Sequence, residues 1–279
     1  MKDFSLLQNL PVIESKQNSQ VRKLQKIVSS SSYRQENKLY WVEGEKLCKT
    51  YFENVKNKKK ILLVFDQKIN KNYIFKMFLK NQIKEISFAC LSSSLFKEVS
   101  QIKNSPGWGI VANYPENNFP QSKELSDVII LDGIQDPGNL GNIIRISAAI
   151  GIKDIWITKA TSDPYSPKVI RSGCGGQFIT NFSFFSDLDE ILNRNEILKM
   201  QILATVVKQE SIKLYDKKLD LKKNCAWIFG SEGKGISSTI IEKKKLLSLN
   251  IPHLKEVESL NVATAAALCL FEMKRQRLS

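Results

Sequence analysis

Two polar loops in the last quarter of the chain, each at the end of a buried element, carry the residue types of a ligand site. The first, Gly230-Ser231-Glu232-Gly233-Lys234-Gly235, follows the apolar run Ala226-Trp227-Ile228-Phe229 and reads as a strand ending in a loop too glycine-rich to be helical. The second, Glu258-Ser259-Leu260-Asn261-Val262-Ala263-Thr264, lies beyond Pro252 and opens an alanine-rich run. Ser259 or Asn261 can cap the helix which that run predicts over 262–273, and the same hydroxyl or amide can reach a ligand. The glycine loop is not a Walker A loop, because Lys234 precedes Gly235 rather than Ser or Thr. Nor is it a dinucleotide fingerprint: its order is G-x-x-G-x-G, and Gly138-x-x-Gly141 is shorter still. A tight turn is the plain alternative. His253 is the sole histidine, so no metal site is expected, and a Ser-His-Asp hydrolase would hang entirely on it.

Strands and helices must position these loops. Val128-Ile129-Ile130-Leu131 predicts a buried strand, the turn Asp136-Pro137-Gly138-Asn139 leads into a helix over 140–150, and Ile155-Trp156-Ile157 predicts the next strand. Val169-Ile170-Arg171 leads into a glycine cluster, and 202–206 predicts a further strand. The N-terminal part repeats the alternation. Val21, Leu24, Ile27 and Val28 recur at helical spacing between Arg22, Lys23 and Lys26, which predicts an amphipathic basic helix. Strands are expected at 40–42, 61–65, 86–89 and 108–112, with helices at 46–52 and 73–79. The fold class expected is α/β throughout. Residues 1–113 would form a small N-terminal domain and 126–279 a second α/β domain. The proline- and asparagine-rich stretch 114–125 would be the linker.

Of 279 residues, 42 are Lys or Arg and 28 Asp or Glu. The excess is uneven: residues 1–120 carry 20 basic and 10 acidic side chains, and the remainder 22 and 18. A polyanion such as RNA is the partner this attracts, a solvated lysine-rich surface being the alternative. Lysine runs at 58–60 and 243–245 read as solvated faces. The five cysteines are far apart and form no Cys-x-x-Cys pair, which fits a reducing cytoplasm better than a disulfide framework. No export signal or membrane span is expected, and the sequon at Asn181 is read as chance.

Three segments in order then resemble a known family. They are Leu131-Asp132-Gly133-Ile134-Gln135-Asp136-Pro137-Gly138-Asn139-Leu140-Gly141-Asn142-Ile143-Ile144-Arg145, then Ile228 through Ile236, then Ile251-Pro252 through Ala263. Together they are similar to the signature motifs of the SpoU-type RNA ribose 2′-O-methyltransferases of the SPOUT superfamily. Residues 13–45 resemble the family's appended RNA-binding domain, through Ile13-x-Ser15, Asn18, Val21-x-Lys23, Arg34 and Val42-Glu43-Gly44.

The resemblance implies an α/β sheet knotted as a trefoil near its C-terminus, a homodimer, and S-adenosylmethionine as cofactor with no metal. It implies backbone-type cofactor contacts at Gly230, Ile251 and Leu260, with Ser259 and Asn261 shaping the pocket. Arg145 is the expected catalytic residue. Arginine stays protonated and is a poor base, so it would grip the phosphate beside the target ribose and align the hydroxyl; the alternative is a pairing with an acid on the helix's outer face. Asn139 would order the first loop or reach substrate, and Glu232 would hold the glycine-rich loop or orient Arg145. Arg22, Lys23, Arg34 and Arg171 are the expected RNA contacts. His253 and Lys255 stand where the family commonly has methionine and glycine, and Arg171-Ser172-Gly173 departs from its Arg-Ala-Ser. Ribosomal RNA is the expected substrate, with transfer RNA or a non-catalytic RNA-binding role as the alternatives.

Overall fold

In a computed structural model of the chain, the structure describes residues 9–55, 58, 60–70, 85–100, 102–115, 126–206, 211–233, 235, 236, 238–243 and 246–278. The helix expected at 73–79, most of the expected linker, Lys234 and parts of both lysine runs lie outside them. The chain divides into two compact units, residues 1–116 with 165–171, and residues 117–164 with 172–279.

The first unit runs β1 (Val12–Ile13), α1 (Ser19–Ser29), α2 (Ser31–Asn37), β2 (Leu39–Glu43), α3 (Glu45–Asn54), β3 (Lys60–Asp66), β4 (Glu85–Leu91), α4 (Ser93–Val99) and β5 (Trp108–Asn113). Its five strands form one mixed sheet in the order β1-β4-β3-β5-β2. The periodic face of α1, Val21, Leu24, Ile27 and Val28, is buried against Trp41, Val64 and Ala89 of the sheet. Residues that carry the N-terminal resemblance hold this unit together. Asn18 caps α1 by accepting from the Gln20 amide at 2.9 Å. Glu43 is buried and accepts from the Ser100 and Ser105 hydroxyls and from the Trp41 indole. Tyr165 packs 5.0 Å from Tyr40 and 4.3 Å from Tyr114 between ring centroids, which explains why 165–171 groups here.

The second unit runs β6 (Val128–Asp132), α5 (Pro137–Ile150), β7 (Asp154–Thr158), α6 (Pro167–Ser172, shared with the first unit), β8 (Asn181–Phe185), α7 (Leu188–Leu192), α8 (Asn195–Leu198), β9 (Gln201–Thr205), β10 (Ile212–Lys213), β11 (Cys225–Gly230), α9 (Ser238–Lys243), β12 (Leu247–Asn250) and α10 (Val262–Leu278). The seven strands are all parallel, in the order β10-β12-β9-β11-β6-β7-β8. Central β6 and β11 are apolar along their length because both faces are covered. Later strands are laid between earlier ones: β11 enters between β9 and β6, and β12 between β10 and β9. Parallel pairing puts the carboxyl ends of β6, β11 and β12 on one edge of the sheet, so the loops that follow them emerge together.

Two helices frame that edge. Helix α5 starts three residues before the expected position, since Asp136 caps it and Pro137 suits a first turn that needs no N–H. Helix α10 packs against α5 and is pinned at its far end. There the Arg277 guanidinium meets both oxygens of Asp127 at 2.5 and 3.0 Å and donates to the Leu221 carbonyl at 2.9 Å. No helix among the described residues is long and apolar enough to cross a membrane, and no group of residues there could hold a metal ion.

Candidate active site

Asparagine 139 ties the three signature segments into one hydrogen-bonded relay. It sits in the first turn of α5, where the Asp136 carboxylate accepts its amide N–H at 2.8 Å. Its Nδ2 donates to Glu232 Oε1 at 3.0 Å, in the loop after β11. Its Oδ1 accepts from Asn261 Nδ2 at 2.9 Å, at the start of α10. Asn261 fixes the polarity of the chain, because its own Oδ1 caps α10 by accepting from the Ala263 and Thr264 amides at 2.9 and 3.2 Å. Its remaining group is therefore a donor, which Asn139 must meet with oxygen. Asn139 then has its own donor left for a carboxylate.

Glu232 completes the relay. Besides Asn139 it accepts from the Gln135 and Asp136 amides, both at 3.3 Å. Partial burial raises its pKa, but hydrogen bonds from Asn139, from its own amide and from Gln135 and Asp136 outweigh this and leave it below the ordinary value. Of the two roles expected for Glu232, the holding of a loop is what the structure shows, and the loop held is the one after β6. A carboxylate with a depressed folded pKa stabilises fully above its unfolded value near 4.3 and loses that contribution as the pH falls through the folded value. Glu232→Gln should thus lower the thermal midpoint at neutral pH by a modest, solvent-screened amount, and the gap to wild type should close on acidification. Thermal melts of both proteins across pH check this; curves that stay parallel into acid would remove the charge from the explanation.

Arg145 stands on the exposed face of α5, about 9 Å along the axis from Asn139. It makes no hydrogen bond or ion pair among the described residues, so the outer-face acid pairing is not formed there, and Glu232 does not orient it. Asn139 adopts ordinary helical angles, so backbone strain plays no part in its role.

Gly230 ends β11 where the chain doubles back. A Cβ there would lie 2.5 Å from the Gly235 carbonyl carbon, and Ser231 and Gly235 form a bridge with a 2.9 Å hydrogen bond. The close approach that demands glycine is thus to the loop itself. Gly141 is required in the same way: a Cβ would lie 1.9 Å from the Ser172 hydroxyl, which donates to the Pro137 carbonyl at 3.0 Å. Ser172 follows Arg171 directly, so a serine locks the glycine cluster to the start of α5 although the family's Arg-Ala-Ser order is altered.

Ile251 follows β12 and is only 8% exposed. The His253 Nδ1 lies 2.6 Å from the Ile251 carbonyl, which fixes the loop where the family has methionine. Neither the Ile251 nor the Leu260 N–H forms a hydrogen bond among the described residues. Both N–H groups are therefore free to donate to a ligand. Ser259 is exposed and forms no hydrogen bond among the described residues; Asn261, not Ser259, is the cap.

The expected RNA contacts divide. Arg22 and Lys23 are exposed on the polar face of α1. Arg34 is 3% exposed and donates from Nη1 to the Ile27 and Val28 carbonyls at 2.8 and 3.2 Å. It therefore closes the C-terminal end of α1, and the RNA contact expected of it is replaced by a structural one. Arg171 is half-buried; desolvation lowers its pKa, partly offset by Glu43, and its Nη1 is buried without a partner among the described residues.

Comparison with known proteins shows the family of the chain. The family described as SpoU rRNA Methylase matches residues 126–271. An uncharacterized tRNA/rRNA methyltransferase of Synechocystis is 36% identical over 173 residues, 61% of this chain and 61% of that protein, so the alignment spans under two thirds of it. The 23S rRNA (guanosine(2553)-2′-O)-methyltransferase RlmP of Bacillus subtilis is 26% identical over 273 residues, 94% of this chain and 98% of the relative. The crystal structure of an rRNA methyltransferase of Sinorhizobium meliloti with bound AdoMet superposes with a TM-score of 0.78 at 22% identity, covering 96% of this chain and 99% of that one. With the match spanning more than half of its length, and the relay of Asn139, Glu232 and Asn261 joining the motif segments it covers, the chain belongs to the SpoU rRNA methylase family.

Proposed function

We propose that the protein is an S-adenosylmethionine-dependent methyltransferase acting on a ribose 2′-hydroxyl of ribosomal RNA. One observation carries the reading: the relay through Asn139 gathers three loops at the carboxyl edge of the parallel sheet and leaves Arg145 exposed on the helix that starts there. Adenosylmethionine supplies an electrophilic methyl group when bound. The Ile251 and Leu260 amides, with Gly230, contact its adenosine part, and Ser259 and Asn261 shape the pocket. Arg145 offers a planar donor fork to the phosphate beside the target ribose, which aligns the hydroxyl and stabilises its developing negative charge.

Arg22 and Lys23 on α1 give the N-terminal unit, residues 1–113, its hold on RNA, and the half-buried Arg171 is a further contact on this reading. Relatives named for ribosomal RNA favour that substrate over transfer RNA. A homodimer in the cytoplasm is the working form on this reading, consistent with five free cysteines.

The test is transfer of labelled methyl from adenosylmethionine to unmodified ribosomal and transfer RNA, followed by mapping of the methylated nucleotide. A 2′-O-methylated ribosomal nucleotide is the expected result. Label in transfer RNA alone would move the substrate, and neither transfer nor cofactor binding would leave a non-catalytic RNA-binding protein.

A further inference from the structure

Beside the site, the segment after β10 presents an exposed aromatic ring among lysines. Residues 212–223 read Ile212-Lys213-Leu214-Tyr215-Asp216-Lys217-Lys218-Leu219-Asp220-Leu221-Lys222-Lys223, five lysines against two aspartates. Three leucines anchor the segment: Leu214 and Leu221 are fully buried and Leu219 nearly so. Two turns stiffen it, with Asp216 N donating to the Lys213 carbonyl at 2.9 Å and Leu219 N to the Asp216 carbonyl at 3.0 Å. The Asp216 carboxylate is engaged by the Lys218 amide at 2.9 Å. On this frame Tyr215 is 55% exposed, and neither its hydroxyl nor the ammonium groups of Lys213, Lys217 and Lys218 have a hydrogen bond or ion pair among the described residues.

Its position is set by pairing. Strand β10 runs parallel to β12 with Lys213 opposite Asn250, and Leu214 N donates to the Asn250 carbonyl at 2.8 Å. Both chains therefore leave the sheet at the same edge, a strand spacing of about 4.8 Å apart. One continues as Leu214-Tyr215 and the other as Ile251-Pro252-His253, the loop of the candidate active site. An exposed ring on an anchored backbone beside that loop, flanked by unpaired cations, has the composition of a stacking platform for an unpaired base with phosphate contacts on either side.

We propose that Tyr215 with Lys213, Lys217 and Lys218 forms a binding strip for single-stranded RNA that flanks the methylated nucleotide. The inference rests on the RNA-methylating reading above and deepens it. Tyr215 stacks on a base and the lysines meet the phosphates, so the strip adds affinity for an unpaired segment without touching the reacting atoms.

The experiment compares wild type with Tyr215→Ala, Tyr215→Phe and the double variant Lys217→Ala/Lys218→Ala. Affinity is measured by fluorescence anisotropy with a short fluorescein-labelled single-stranded RNA of mixed sequence and with its duplex. Calorimetric titration of adenosylmethionine checks that the neighbouring loop is intact. Tyr215→Ala should bind the single strand about tenfold more weakly, and Tyr215→Phe should retain binding because stacking needs the ring and not the hydroxyl. In methyl transfer, Tyr215→Ala should raise KM and leave kcat unchanged. The double variant should flatten the logarithmic salt dependence by about 1.4, at roughly 0.7 per phosphate contact on a single strand. Binding by Tyr215→Ala indistinguishable from wild type would overturn the strip, and if methyl transfer persists the proposed function still stands. Loss of binding in Tyr215→Ala with no transfer by wild type would keep the strip as a site for single-stranded RNA, overturn its place beside a methylated nucleotide and sink the methyltransferase reading. A wild-type protein that binds neither RNA overturns both.

Discussion

Arg145→Ala is expected to abolish methyl transfer, by a factor on the order of 10²–10⁴, while adenosylmethionine binds as before. The separation follows from where Arg145 stands. Its guanidinium is exposed on α5 and joins no hydrogen bond or ion pair among the described residues, so truncation leaves no partner stranded. Alanine is the strongest helix former, and an exposed substitution of this kind shifts stability by about 0.5 kcal/mol or less. The proposed cofactor donors lie on other loops, at Ile251 and Leu260. On the proposed function, what is lost is the grip that aligns the ribose hydroxyl and meets its developing charge. Arg145→Lys sharpens the test, because it keeps the charge and loses the planar fork; activity well below wild type would assign the role to geometry as much as to charge. Single-turnover methyl transfer beside calorimetric cofactor binding reads both quantities, and substantial turnover by Arg145→Ala would remove the residue from the chemistry.

Asn139→Asp should be more damaging than Asn139→Ala, although it is nearly isosteric. Asparagine at this position accepts from Asn261 and donates to Glu232, and the cap that Asn261 makes on α10 prevents the relay from reversing. Aspartate keeps the acceptor but brings a second carboxylate to about 3 Å from Glu232, where two like charges cannot both ionise comfortably. Alanine removes two solvent-exposed hydrogen bonds, each worth about 0.5–1.5 kcal/mol net, and adds no repulsion. The loops after β6, β11 and β12 meet through this residue, so the penalty should appear as weaker adenosylmethionine binding as well as a lower thermal midpoint. The aspartate variant should recover in part near pH 5, where one proton shared between the carboxyls restores a donor. Equal cofactor affinity for wild type and both variants would show that the relay does not hold the pocket.

Much of this protein is legible in its sequence, because periodicity reports burial. The apolar runs at 128–131 and 226–229 mark strands covered on both faces, and both are central in the sheet. The spacing of Val21, Leu24, Ile27 and Val28 marks the buried side of α1. The order and composition of three motifs identify the family, since so long a match specifies residues that local propensity leaves free. Short elements were less readable. Asn181–Phe185 and Leu247–Asn250 mix polar with apolar residues over only four or five positions, and they become strands because neighbours supply their hydrogen bonds.

Pairing between distant residues was decided by the tertiary structure. Arg34 carries the same charge as Arg22 and Lys23, yet the adjoining carbonyls of α1 take its guanidinium, and burial turns an expected RNA contact into a helix closure. Glu232 had two roles open to it, and the choice rested on which donors the fold delivers: the amides at Gln135 and Asp136 and the Asn139 side chain, nearly a hundred residues away in the chain. Composition marks 212–223 as lysine-rich and nothing more. Parallel pairing of β10 with β12 is what carries Tyr215 to the edge of the sheet where the candidate active site lies. The sequence determines which residues are apolar, charged or conformationally free; the out-of-order stacking of seven parallel strands determines which of them meet, because hydrogen-bond register between remote segments leaves no local trace.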